Sequence, residues 1–207
     1  MTESLERGHR ARETTGRYVA PFAVFIGFLA LQAVLPMPPR IDFPLRVIVL
    51  AAILIFYSRP VIELKPRHLL ASVALGAIVF VIWIAPDMLI PHYRQSWLFH
   101  NALTGAAASS LATRLRDDRF VLTFRVLRAV VIVPIVEELF WRGWLMRWLI
   151  DNDFRKVPMG TYAPLSFWVT AVMFASEHGP YWDVGLLAGI LYNWWVIRTK
   201  SLADCIL

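Results

Sequence analysis

From Leu69 to Ala85 the chain runs without a charged side chain. Extended to Leu89, with Pro86-Asp87 near the exit, the run matches the roughly 17–25 helical residues that cross a hydrocarbon core. Lipid offers no hydrogen bonds, so such a run must satisfy its own backbone as a helix. That constraint governs the rest of the chain. Comparable apolar stretches cover Tyr18 to Leu35, Phe43 to Tyr57, Val121 to Ile150, Pro164 to Glu177 and Val184 to Ile197. Pro36-Met37-Pro38-Pro39, Arg59-Pro60 and Gly179-Pro180 punctuate them as helix stops. Ser201 to Leu207 reads as the start of a seventh span. The expected fold is all-α, a polytopic transmembrane helix bundle of about six spans plus that start. The composition agrees, with 58% hydrophobic and 17% charged residues, against about 45–50% and about 25% in soluble domains.

The regions between spans set the orientation. A polar tail covers residues 1–17 and holds four arginines. Arg59, Lys65 and Arg67 follow the second span, Arg155 and Lys156 the fourth, and Arg198 and Lys200 the sixth. The loop after the first span has Arg40 alone, and that after the fifth has no basic residue. Basic residues concentrate on the cytoplasmic side, which puts the N-terminus there. The expected location is a membrane, the bacterial inner membrane in particular. The net charge of +6 suits anionic lipid headgroups as partners. No basic stripe with interleaved aromatics appears, so nucleic acid is not an expected partner. Residues 18–120 form the expected N-terminal membrane region. Its last part, residues 90–120, reads either as an interfacial amphipathic helix or as a weak extra span.

Chemistry concentrates in residues 121–207. Glu137 and Glu138 stand in the middle of an apolar helix, where one ionisable group costs roughly 2.5–3.5 kcal/mol on insertion scales. Glu138 and Arg142 are four apart and share a helix face, which offers an ion pair. Glu137 lies about 100° around the helix and needs another partner. With a turn near Val157, Glu137 is 20 residues before it and His178 is 21 after. On antiparallel helices both would reach similar depth. A carboxylate and an imidazole around one water can act as general base and orienting partner. The bland readings are a structural Glu138–Arg142 pair, an interfacial His178, a lipid-facing or core Phe174, and packing roles for Cys205 and Asn193. Gly185 and Gly189 form a G-x-x-x-G pair suited to close helix contact.

Glu137-Glu138-x-x-x-Arg142 followed by Phe174-x-x-x-His178 resembles the first two motifs of the CPBP family, the type II CAAX prenyl endopeptidases and their relatives. A closer resemblance is to CAAX-protease-related proteins that accompany bacterial exosortase systems. The segment Gly185 to Tyr192, with Arg198 to Leu202, is similar to the helix preceding that family's last motif. The resemblance implies an intramembrane endopeptidase acting on a membrane-associated, hydrophobic or lipidated (prenylated, CAAX-like) protein or peptide. It implies that Glu137 and His178 activate water, that Glu138 and Arg142 shape or balance the site, and that Phe174 lines it. It leaves open whether a divalent metal such as zinc takes part. The family's final H-x-x-x-N motif has no counterpart up to Leu207. The alternative expectation is therefore a non-catalytic scaffold or immunity-type protein of the same fold that binds such a peptide. A small transporter using the acids as a proton relay is a third and weaker reading.

Overall fold

The computed structural model describes residues 2–106 and 117–207. The elements in chain order are α1 (Thr2–Val34), α2 (Pro39–Ala52), α3 (Leu69–Leu89), α4 (Arg119–Leu127), α5 (Val133–Glu138), α6 (Met146–Trp148), α7 (Pro164–Ser176), α8 (Trp182–Thr199) and α9 (Ala203–Ile206). Each of the six expected apolar stretches is helical. Arg12–Gln32, Pro39–Val61 and Leu69–Leu89 are long and apolar enough to cross a membrane. Their exposed Ile48, Phe56, Leu70, Val73, Phe80 and Val81 are the surface that lipid can cover. The chain is an integral membrane protein built as an all-α bundle.

The described residues fall into two compact units. One draws on residues 2–63 and 117–144, the other on residues 64–106 and 145–207.

In the first unit α2 buries Phe43, Val47 and Leu50, and the π-helical turn Ile53–Ser58 after it adds Leu54, a stripe at helical spacing. α4 and α5 bury Val121 and Val136 in the same unit. Arg46 of α2 is 2% exposed. Asp42, one turn earlier, takes its Nε at 2.7 Å, and Gln32 accepts at 3.2 Å. The pair is satisfied inside the unit, so the side chain has no need to extend toward water.

α4 and α5 are joined by a π-helical turn, Arg128–Ile132, and a second, Leu139–Leu145, follows α5. The first ends on an N–H of Val133 that reaches back to the Arg128 carbonyl. Pro134, at the start of α5, has no N–H to give and would crowd the carbonyl four residues back. A wider turn just before it relieves both problems. The second π turn begins directly after Glu138 and carries Arg142. Phe22 of α1 stacks on Phe140 at 4.1 Å and meets Trp141 edge-on at 5.3 Å.

In the second unit α7 and α8 form an antiparallel hairpin. Ala171 and Phe174 are buried on one helix and Val184, Ala188 and Val196 on the other. Gly189 allows the close approach: a Cβ there would stand 3.2 Å from the Ala171 carbonyl oxygen and 3.2 Å from the Phe174 ring. Asn193 donates across the hairpin to the Phe167 carbonyl at 2.8 Å. α3 adds Ser72, Leu75 and Val79 to this core. Residues 90–106 hold a short 3-10 turn, Tyr93–Gln95, and tight turns. Neither an amphipathic helix nor an extra span runs through them, and residues 107–116 lie outside the described residues. Local periodicity fails here because tertiary contacts hold this stretch.

Candidate active site

In the first unit Arg142 Nη1 donates to Glu138 Oε1 at 2.8 Å. The two are 1% and 4% exposed. The i, i+4 spacing brings them onto one face, as the sequence suggests. Glu138 Oε2 is buried without a hydrogen-bond partner among the described residues. A buried carboxylate held by a buried guanidinium is costly to part from it. Glu137 is the last residue but one of α5, half-buried rather than enclosed.

In the second unit Phe174 and His178 come together. His178 Nδ1 lies 2.7 Å from the Phe174 carbonyl oxygen. A carbonyl oxygen only accepts, so Nδ1 carries the hydrogen, and in the neutral ring Nε2 carries the lone pair. That tautomer suits a group that orients water by accepting from it. It also suits a metal ligand, whose second nitrogen commonly donates to a carbonyl. The ring of Phe174 faces the imidazole at 4.6 Å and Tyr192 at 6.4 Å. Phe174 is 3% exposed, so in this structure it serves the imidazole through both its carbonyl and its ring.

Two neighbours of His178 were not singled out for it in the sequence. Trp83 of α3 sets its ring 5.2 Å from the imidazole. Gly185, on the first turn of α8, lies against it: a Cβ there would be 3.2 Å from ring Cγ and Nδ1. The G-x-x-x-G pair was visible as a packing motif, but only the hairpin geometry assigns its first glycine to the imidazole. Glu177 is half-buried beside His178.

Beyond His178 the chain turns sharply. Gly179 has φ +54°, a conformation that glycine adopts without strain. A Cβ at Gly179 would also stand 2.9 Å from the Thr104 carbonyl oxygen. The 3-10 turn Gly179–Tyr181 then leads into α8. Arg94 sits over this turn. Burial alone would lower its pKa, but Asp183 and Asp87 outweigh that and raise it.

All five residues singled out from sequence lie within the stretch that a known family also recognises. Residues 119–207 match the Rce1-like family, described as type II CAAX prenyl endopeptidase Rce1-like. The match begins where α4 begins and takes in both Glu137-Glu138-x-x-x-Arg142 and Phe174-x-x-x-His178. No curated protein and no solved structure matches the chain. The Rce1-like match agrees with the CPBP resemblance and supports a membrane protease, a hydrolase of peptide bonds in the CAAX-type class. Residues before Arg119 lie outside it.

Proposed function

We propose that this Rce1-like protein is an intramembrane endopeptidase that cleaves a membrane-associated protein or peptide, hydrophobic or lipidated near the cut, with Glu137 and His178 activating the attacking water. The observation that carries the reading is the fixed tautomer of His178, with Nδ1–H on the Phe174 carbonyl at 2.7 Å. The family match over residues 119–207 and the near-equal sequence distance of Glu137 and His178 from the intervening turn add to it.

In this reading the Glu137 carboxylate takes a proton from water while Nε2 of His178 accepts a hydrogen bond from the O–H that remains. The hydroxide oxygen bonds to the scissile carbonyl carbon, and the carbonyl electrons move onto oxygen. Collapse of that adduct breaks the C–N bond, and Glu137 returns its proton to the departing amine. Glu138 and Arg142, already joined at 2.8 Å, hold charge balance beside Glu137 without taking part in proton transfer. A divalent metal such as zinc, where bound, would use Glu137 and His178 among its ligands and would acidify a bound water. The lipid bilayer is the setting, with the N-terminus on the cytoplasmic side of a bacterial inner membrane, as the distribution of basic residues supports.

The test is cleavage by protein purified in detergent, followed by mass spectrometry, with prenylated CAAX-like peptides and unmodified hydrophobic peptides as substrates. Glu137→Gln and His178→Ala should each lower the rate by about 10²–10⁴, the usual worth of a general acid–base group. Cleavage that survives both changes at full rate would show that the site is wrong. Substrate binding without cleavage by the wild type would support the scaffold reading instead.

A further inference from the structure

The Rce1-like match starts at Arg119, yet the second unit carries a polar cluster from earlier in the chain. Arg94 is 7% exposed. Its Nε donates to both Asp87 carboxylate oxygens, at 3.2 and 3.3 Å. Its Nη1 donates to the Pro180 carbonyl at 2.8 Å and also to Asp183 Oδ1. Tyr93 gives its hydroxyl hydrogen to the other Asp183 oxygen at 3.1 Å. The guanidinium lies over the rings of Tyr181, Phe99 and Tyr93, at 4.6, 4.9 and 5.0 Å from their centroids.

These contacts converge on one short segment. Pro180 and Tyr181 belong to the turn that follows His178, and Asp183 lies in the first turn of α8. The Tyr181 N–H closes that turn onto the His178 carbonyl at 3.0 Å. Trp182 adds an indole N–H to the Leu98 carbonyl at 3.1 Å. The stretch from Tyr93 to Phe99 thus grips residues 180–183 with an arginine fork, a tyrosine hydroxyl and a stacked ring. Trp83 touches both sides of the arrangement, 5.2 Å from the His178 ring and 6.1 Å from that of Tyr181.

We propose that Arg94 is a positioning residue for His178: by pinning Pro180, Tyr181 and Asp183 to Asp87 it fixes where the imidazole stands. The inference rests on the proposed role of His178. The need for such a pin follows from the local chain. Gly179, directly after His178, is the residue least able to hold a backbone direction. Without a clamp the turn would let the imidazole wander, and misplacement by about 1 Å can cost about 10² in rate. A guanidinium can reach three acceptors at once because its donors are spread in a rigid fork. Lysine carries its three donors on one nitrogen and cannot spread them in that fork.

The experiment compares wild type, Arg94→Met, Asp183→Asn and His178→Ala as full-length protein in detergent. It reads kcat and KM for peptide cleavage, and the rate at which diethyl pyrocarbonate modifies His178 relative to His68, followed by mass spectrometry. The expected result for Arg94→Met is a kcat at least tenfold lower, a KM within about threefold of wild type, and faster modification of His178 alone. Loss of fold would raise every histidine's rate together. Asp183→Asn keeps the Asp87 and Pro180 contacts and serves the same two readouts if Arg94→Met does not fold. Wild-type kcat and an unchanged His178 rate in folded Arg94→Met overturn the proposal. If His178→Ala cleaves normally, the proposed function fails, and the His178 modification rate still decides whether Arg94 holds that ring.

Discussion

Gly185 lies beneath the imidazole of His178, with room for a hydrogen and no more: a Cβ there would meet ring Cγ and Nδ1 at 3.2 Å. The imidazole cannot retreat freely. Its Nδ1 is bound to the Phe174 carbonyl and its other neighbours include Trp83. Gly185→Ala should therefore shift the ring by a few tenths of an ångström. The expected outcome is a fall in kcat of about tenfold with little change in thermal midpoint, since small displacements of a working group are costly while packing barely changes. Kinetics and a melting curve on the same preparation check it. A melting point that drops while kcat per folded molecule holds would point to helix packing instead.

Glu138 and Arg142 give a second prediction. Each is nearly sealed from water, and each offsets the other at 2.8 Å. Arg142→Met leaves a lone carboxylate in an apolar helix and should destabilise the fold by about 3–5 kcal/mol. The double change Glu138→Leu with Arg142→Met removes the isolated charge and should recover most of that loss. A double-mutant cycle, measured by denaturant titration in detergent, is the check. Additive losses in the cycle would mean that the two side chains act separately.

The lengths of the apolar runs were legible because lipid dictates them. α3 occupies Leu69–Leu89 as the sequence suggests. α1 starts far earlier than Tyr18, at Thr2, because a helix does not stop where hydrocarbon stops. Glu13 and Arg17, one turn apart, form an ion pair that continues it through polar residues. The pairs Glu138–Arg142 and Phe174–His178 were legible because both partners sit four apart in the sequence, the reach of one helical turn. The contributions of Trp83, Arg94 and Gly185 were not. Each depends on how α3, residues 90–106 or α8 pack against the turn after His178, and such long-range packing leaves no periodic trace.

Asn193 carries a third prediction. It is fully buried and donates to the Phe167 carbonyl at 2.8 Å. Asn193→Leu places an apolar group of similar size there but leaves that carbonyl without this donor. The carbonyl keeps its place in the helix ladder of α7, so the expected loss is about 0.5–1.5 kcal/mol, the net worth of one hydrogen bond. Hydrogen exchange of α7 should rise with it. Protection equal to wild type would mean that water has replaced the amide.

Asp204 yields a prediction with a definite pH window. It is 2% exposed. One carboxylate oxygen accepts the His68 N–H at 2.7 Å and the Ser72 hydroxyl at 2.9 Å, and the other the Arg67 N–H at 3.0 Å. It therefore closes the N-terminus of α3, which has no side-chain cap from His68. Burial pushes the Asp204 pKa up, but the hydrogen bonds from Ser201, the Arg67 and His68 amides and Ser72 outweigh it and bring it down to about 2. The folded value lies below the ordinary 3.8. The charged form is thus the one that stabilises the fold. Its contribution is complete above pH 3.8 and drains away as pH falls through about 2. Amide exchange in residues 65–75 should stay slow from neutral pH to about 4, after correction for intrinsic rates, and accelerate below it. Asp204→Ala should show the fast exchange at every pH and cost about 0.5–2 kcal/mol, the worth of a helix cap. A variant whose exchange matches wild type at pH 7 would show that another group caps α3.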